Sequence, residues 1–221
     1  MATFVLIHGG GGVAWQWHLL DPELRARGHE VVAVDLPLAE ETAGLAELAD
    51  AVVDAVGERT DLVVVAHSWG GFVGPLVCDR VRADLLVLLA GMIPAPGEPP
   101  GDWWTETGFE DPGGDDPVAT FCHDLPPELA AEVMGRGQGH AERSLVEPWP
   151  LQAWPDVPTR LLICRDDRFF RPEFMREVAR ERLGITPDEI GGSHMVMLSR
   201  PQELAARLDD YARRARGPRQ K

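Results

Sequence analysis

The sequence predicts an α/β fold in which a mostly parallel β-sheet carries helices on both faces. Two observations lead to this prediction. Short apolar runs alternate with helical patterns along most of the chain, and within each run the apolar residues are continuous instead of alternating with polar ones. A strand that is apolar on both sides must be covered on both faces, so the strands are expected in a parallel sheet with right-handed crossovers.

The individual elements follow from the same patterns in chain order. Apolar runs predict strands at residues 3–7, 29–34, 62–66, 84–89 and 159–164, and a further short strand is expected near residues 188–190. Helical patterns predict helices at residues 15–27, 45–56, 72–80, 172–183 and 201–214. Glycines that are suited to end a helix follow two of these segments, at Gly28 and Gly57.

The stretch between the fourth and fifth predicted strands has a different character. Prolines and glycines crowd it, four tryptophans appear in it, and a helical pattern is visible only near residues 126–134. We interpret residues 97–155 as an inserted cap, termed the cap segment. Residues 1–96 and 156–216 then form the core of one domain, because a chain of 221 residues is within the size of a single core. Residues 217–221 are expected to form a flexible basic tail.

Composition argues against several classes of protein. The net charge of −15 repels phosphate backbones and anionic lipid surfaces, so neither nucleic acid nor a membrane is an expected partner. The first residues lack the pattern of a secretory signal, which predicts a cytoplasmic location. Cys78, Cys122 and Cys164 have no metal-ligand spacing, and no metal is expected. The single lysine is Lys221, which disfavours Schiff-base chemistry.

The most specific motif is the stretch VVVAHSWGG at residues 63–71, in which a predicted strand runs through a small-x-Ser-x-Gly turn into a helix. This context is typical of a nucleophile elbow. Small residues flank the serine because the turn is tight and bulkier neighbours would clash, although Ala66 stands where glycine is usual. Ser68 is therefore the candidate nucleophile. The alternative is that Ser68 only caps the helix that follows.

Four consecutive glycines, residues 9–12, follow the first predicted strand, and we term them the glycine loop. Acyl transfer places negative charge on a carbonyl oxygen, which backbone N–H groups stabilise. We predict that the amides of Gly10 and Trp69 form such an oxyanion hole and that Gly11 contacts the substrate. A dinucleotide-binding loop is the alternative, but residues 13–15 supply no third glycine and no ribose-binding acid is evident.

A serine hydroxyl needs a base and an acid that orients the base. Asp167 follows the strand at residues 159–164 and His194 follows the strand at residues 188–190, at carboxyl ends where a parallel sheet gathers its active-site loops. The order Ser68, Asp167, His194 agrees with an elbow on such a sheet. Asp166 remains an alternative acid, because the two neighbours differ only in the direction that the turn gives them.

Seven stretches of the chain carry a resemblance to a known family: residues 4–9, 15–17, 27–36, 66–71, 166–169, 193–195 and 198–201. With these stretches the chain resembles the plant methylesterase and hydroxynitrile lyase branch of the α/β-hydrolases, together with related bacterial esterases. The resemblance implies an α/β-hydrolase fold with six parallel strands, a serine hydrolase mechanism and no cofactor. Most of the cap segment matches poorly, and it is shorter than the usual cap of this family.

Two positions speak against the lyases of this branch. Lyase members carry a lysine directly after the catalytic histidine, where this chain has Met195, and a threonine in the oxyanion loop, where it has glycine. The predicted function is therefore hydrolysis of a small carboxylic ester through an acyl-enzyme intermediate.

An apolar pocket for the ester is expected from aromatic residues, namely Trp17, Trp69, Trp103, Trp104, Phe121 and Trp149. Two alternatives to ester hydrolysis stay open: a lyase or cyclisation catalyst that uses the same triad, and a ligand-binding homologue without catalysis. The sequence also leaves a homodimer open.

Overall fold

The computed structural model describes residues 1–217, which form one parallel β-sheet of six strands in the order β2-β1-β3-β4-β5-β6. The strands are β1 (Thr3–Ile7), β2 (Glu30–Val34), β3 (Leu62–His67), β4 (Ala83–Leu89), β5 (Thr159–Cys164) and β6 (Asp188–Ile190). The predicted parallel α/β architecture is thereby confirmed. The predicted basic tail falls almost wholly on residues 218–221, which lie outside the described residues.

Helices cover both faces of this sheet. They are α1 (Leu20–Ala26), α2 (Leu45–Val56), α3 (Gly74–Arg80), α4 (Trp103–Glu106), α5 (Pro117–Phe121), α6 (Pro127–Gly135), α7 (Glu142–Val146), α8 (Pro172–Leu183), α9 (Val196–Ser199) and α10 (Pro201–Ala215). None of the helices within residues 1–217 is long and apolar enough to cross a membrane.

Two hydrophobic clusters lie on opposite faces of the sheet, because successive side chains of a strand point to opposite sides. In β1, Val5 and Ile7 pack in the cluster that includes α2, α3 and α8. Phe4 and Leu6 pack in the other cluster, with α1 and α10. All four side chains are fully buried, which explains why the strand is apolar without alternation.

The predicted helix at residues 15–27 is in fact two elements, a 3₁₀ helix (Ala14–Trp17) and then α1. Pro22 explains the break, because a proline has no N–H to donate to the carbonyl of His18, four residues earlier. A second 3₁₀ helix (Ser68–Phe72) precedes α3. The cap segment contains α4, α5 and α7 in addition to the helix predicted from sequence. These helices have four or five residues, too few for a readable apolar periodicity.

A buried ion pair joins the start of the cap segment to α8. The Arg182 guanidinium donates to both carboxylate oxygens of Glu98, at 2.5 and 2.6 Å, and to the carbonyl of Ile93 at 2.6 Å. The Glu98 side chain is 6% exposed and that of Arg182 is 15% exposed. A charge that is buried this far needs its partner, since the interior solvates it poorly.

Replacing Arg182 with alanine is expected to lower the free energy of unfolding by about 3–5 kcal/mol, because the Glu98 carboxylate would be left buried without its cation. The control is Arg180→Ala on the same helix, whose ion pair with Glu177 is exposed on both sides and is expected to contribute less than ~1 kcal/mol. Urea denaturation of the three proteins measures both values. Equal losses of unfolding free energy in the two variants would show that the buried ion pair stabilises the protein no more than the exposed one.

Candidate active site

A cavity of about 470 Å³ opens at the carboxyl ends of the strands. Its wall combines the glycine loop, the turn after β3, the loop after β6 and the cap segment. Ser68, His194, Gly10, Gly11 and Trp69 all lie on this wall. Loops from distant parts of the chain therefore meet where a parallel sheet places its ligand sites.

Ser68 directly follows β3 and is the first residue of the 3₁₀ helix at Ser68–Phe72. Its φ of +51° lies in the left-handed region, which is uncommon for a residue with a side chain. The turn is held from the other side, since the Met92 amide donates to the Ser68 carbonyl at 2.9 Å. Ser68 is 9% exposed, so the hydroxyl is largely enclosed and reached through the cavity.

The two glycines after Ser68 are needed because backbone from other segments presses against this turn. A methyl group on Gly70 would lie 2.7 Å from the carbonyl oxygen of His8. A methyl group on Gly71 would overlap with the carbonyl of Met92. These contacts are with main chain, which has little freedom to move aside. They give the physical reason for the small residues that identified the motif.

Gly71→Ala is expected to lower the free energy of unfolding by about 3 kcal/mol or more, because the Met92 main chain must shift to admit the methyl group. Gly135→Ala is the control, since Gly135 is the last residue of α6 and has open space around it. This control should be neutral or stabilising by up to ~1 kcal/mol through helix propensity. The urea denaturation midpoints of both variants are compared with that of the wild-type protein. A Gly71→Ala protein as stable as wild type would contradict the packing argument.

His194 and Asp167 form a buried hydrogen-bonded pair. The Nδ1–H of His194 donates to Oδ2 of Asp167 at 2.7 Å. The other carboxylate oxygen, Oδ1, accepts from the amides of Phe169 at 2.9 Å and Phe170 at 3.0 Å. The Asp167 carboxylate is thus fixed in position, and it fixes the tautomer of His194 in turn.

Asp166 points elsewhere. Its Oδ2 accepts from the amide of Gly192 at 2.8 Å, and its own amide donates to the Gly192 carbonyl at 3.2 Å. Asp166 therefore joins the loop after β5 to the loop after β6. Of the two neighbouring aspartates that the sequence left open, Asp167 is the one that contacts His194. Within residues 1–217 the Ser68 hydroxyl makes no hydrogen bond with His194, but both side chains line the same cavity.

His8 holds the glycine loop in place. Its Nδ1–H donates to the carbonyl of Gly9 at 2.8 Å, and its Nε2 accepts from the amide of Leu36 at 3.0 Å. Burial lowers the pKa of His8, which favours the neutral ring that this pair of bonds requires. The Gly9 carbonyl and the Gly10 amide belong to one trans peptide and point in opposite directions. Holding the Gly9 oxygen on His8 thus fixes the direction of the Gly10 N–H.

A second histidine, His67, supports the loop that carries His194. Its Nε2–H donates to the His194 carbonyl at 3.0 Å, and the two rings are 4.7 Å apart. Burial, and next the nearby His194, hold the pKa of His67 well below its usual value. The neutral ring of His67 therefore adds no positive charge beside His194.

The aromatic residues predicted to form the pocket divide into two groups. Trp69, Trp104 and Phe121 line the cavity. Trp17, Trp103 and Trp149 do not, and their assignment to the pocket is corrected to the core, where each is at most 1% exposed. Trp103 and Trp149 use their indole N–H groups to hold main-chain carbonyls of Ile93 and Phe72, each at 3.0 Å. Sequence composition alone does not separate these two uses of tryptophan.

Several cavity residues were not predicted, among them Gln16, Gln138 and His140. Gln138 and His140 lie in the poorly matching cap segment, and no pattern in the sequence marks them. The His140 ring is 4.3 Å from that of Trp69, and burial lowers its pKa to about 4. A signal did exist for Phe169 and Met195, which are close in sequence to Asp167 and His194. No cluster of metal-ligating side chains occurs in the described part of the chain.

Comparisons with known proteins show which family and which fold this chain is similar to. A model described as "Alpha/beta hydrolase family" matches residues 4–207. Norfluorocurarine synthase 1 of Strychnos sp is 25% identical, with 95% of this chain and 94% of that protein aligned. Putative methylesterase 19 of Arabidopsis thaliana is 26% identical, with 95% and 96% aligned. The crystal structure of polyneuridine aldehyde esterase superposes with a TM-score of 0.80 at 20% identity, covering 96% of this chain and 99% of that one. These matches confirm the resemblance that the sequence motifs indicated.

Proposed function

We propose that this chain, which belongs to the alpha/beta hydrolase family, hydrolyses a small carboxylic ester with Ser68 as nucleophile. The observation that carries the proposal is the buried His194–Asp167 pair, because its imidazole lines the same cavity as Ser68. A hydroxyl, an imidazole and a carboxylate at one cavity are the parts that nucleophilic acyl transfer requires.

In the first half of the reaction, Oγ of Ser68 attacks the ester carbonyl and forms a C–O bond. His194 accepts the hydroxyl proton at Nε2, while its Nδ1–H stays on Asp167. The amides of Gly10 and Trp69 then donate to the oxyanion, which is where negative charge develops. When the tetrahedral intermediate collapses, the alcohol leaves with the proton that His194 returns to it.

In the second half, water attacks the acyl group on Ser68. His194 takes a proton from the water and returns it to Oγ, which releases the carboxylic acid and restores the free hydroxyl. The cavity of about 470 Å³ is lined mainly by apolar side chains, among them Trp104, Phe121 and Phe169. Such a wall suits a small ester with an apolar acyl or alkyl group and strengthens the polar contacts at the carbonyl.

A second candidate is a reaction that uses the same groups without net hydrolysis, such as a lyase or cyclisation step. Four relatives are named norfluorocurarine synthases, which supports considering this alternative. Product analysis distinguishes the two. Hydrolysis yields acid and alcohol in equal amounts and incorporates one oxygen from labelled water into the acid, whereas a lyase or cyclase incorporates none.

The test of the proposal combines a covalent probe with a substrate panel. A fluorophosphonate should label the protein, and peptide mapping should locate the adduct on Ser68. p-Nitrophenyl and methyl esters of increasing acyl length should then be hydrolysed, with the shorter acyl groups preferred. A protein that takes up no label and turns over no ester would favour a non-catalytic ligand-binding role and overturn the proposal.

A further inference from the structure

We propose that Gln138, in the cap segment, is a positioning residue that fixes the direction of the Gly10 amide through the glycine loop. The inference rests on the proposed function for its catalytic consequence, because the Gly10 amide matters to the reaction only as an oxyanion donor. It assigns to the cap segment a part in catalysis as well as in forming the cavity wall.

Gln138 uses main chain and side chain to hold three carbonyls. Its backbone amide donates to the carbonyl of Gly11 at 2.9 Å. Its side-chain amide, through Nε2, donates to the carbonyl of Gly12 at 2.6 Å and to that of Leu36 at 3.3 Å. One residue of the cap segment thereby joins the glycine loop to the loop that follows β2.

The backbone bond from Gln138 to Gly11 reaches the Gly10 amide through two peptide planes. The two side-chain bonds, to Gly12 and Leu36, anchor residue 138 against the loop and so keep its backbone amide on the Gly11 carbonyl. The Gly11 carbonyl and the Gly12 amide share one peptide, so Gln138 directs the Gly12 N–H, which donates to the Gly9 carbonyl at 3.2 Å. The Gly9 carbonyl and the Gly10 amide share the next peptide. Two donors, Gly12 N–H and His8 Nδ1–H, therefore hold the plane that aims the Gly10 N–H.

The network closes through Leu36. Its amide donates to Nε2 of His8, and its carbonyl accepts from Gln138. His8 supports the glycine loop from the sheet side and Gln138 supports it from the cap side, with Leu36 between them. The cap segment is further held at this point because the amide of Ala141 donates to the carbonyl of Leu38 at 2.7 Å.

Two variants separate the donor from the shape of the side chain. Gln138→Glu keeps the size but places carboxylate oxygens against two carbonyls, and Gln138→Ala removes both side-chain bonds. Both should lower kcat, by about 10- to 100-fold, because a small misplacement of the oxyanion donor weakens the transition state. KM should stay within ~2-fold, since the loss concerns charge that develops only in the transition state. Gln152→Ala, an exposed glutamine of the cap segment, is the control and should match wild type.

Two further readouts support the kinetic test, and the second of them requires no substrate. A trifluoromethyl ketone analogue of the best ester should lose affinity for Gln138→Ala in proportion to kcat, whereas a substrate-like amide inhibitor should not. Hydrogen exchange of peptides that cover residues 8–13 should be faster in Gln138→Ala than in wild type and unchanged in Gln152→Ala.

The outcomes distinguish this inference from the proposed function. Unchanged hydrogen exchange at residues 8–13 in Gln138→Ala would overturn the positioning role. A rise in KM with kcat preserved would also overturn it, because that result would make Gln138 a substrate contact. If the wild-type protein hydrolyses no ester, the proposed function fails, and hydrogen exchange still decides whether Gln138 holds the loop.

Discussion

Ser68→Ala is expected to lower kcat for the best ester by about 10⁶-fold, the scale of loss when a serine nucleophile is removed from a triad. The reason is that no other hydroxyl lines the cavity next to His194 among the described residues. Labelling by the fluorophosphonate should disappear together with turnover. Steady-state kinetics and intact-protein mass spectrometry measure the two effects on the same samples.

The matched control is Ser199→Ala, because Ser199 lies on α9 and does not line the cavity. This variant should keep both labelling and turnover. Circular dichroism and urea midpoints of the two variants establish that any loss is chemical and not a failure to fold. If Ser68→Ala kept its activity, the nucleophile would have to be another group and the proposed mechanism would be wrong.

Asp167→Asn should lower kcat by roughly 10⁴-fold while leaving the fold intact, because the amide cannot hold the His194 ring in the tautomer that accepts a proton from Ser68. The carboxylate also stabilises the positive charge that His194 gains during the reaction. Kinetics with the best ester, supported by a urea midpoint, give the result.

Asp166→Asn is the natural comparison, since it changes the adjacent residue in the same way. Asp166 binds the Gly192 amide and does not contact His194, so turnover should fall far less than in Asp167→Asn. A larger loss in Asp166→Asn than in Asp167→Asn would assign the acid to the other neighbour and contradict the geometry described above.

The sheet could be predicted because a strand that is buried on both faces must be apolar at successive positions. The run at residues 62–66 is apolar throughout, and β3 indeed lies at the centre of the sheet with both faces covered. The turn around Ser68 was also predictable, since Gly70 and Gly71 are required by main chain of His8 and Met92. In both cases distant contacts restrict the residue types within one short stretch, so the stretch itself carries the signal.

The cavity wall was less predictable because it depends on how the cap segment packs over the sheet. Trp103 and Trp104 are neighbours in the sequence, yet one lies in the core and the other on the cavity. The choice between Asp166 and Asp167 likewise depends on the direction of a turn. Gln138 makes its contacts with residues more than a hundred positions away, so no local pattern could identify it.

At residue 68 the left-handed backbone favours glycine for thermal stability, whereas turnover requires the serine hydroxyl. A residue with a side chain adopts this conformation at an expense of about 1–2 kcal/mol relative to glycine. Directed evolution for heat resistance alone would therefore favour glycine at residue 68, and with it an inert protein. A screen that demands both properties should instead enrich changes away from this turn, where greater resistance to heat leaves the orientation of the hydroxyl untouched.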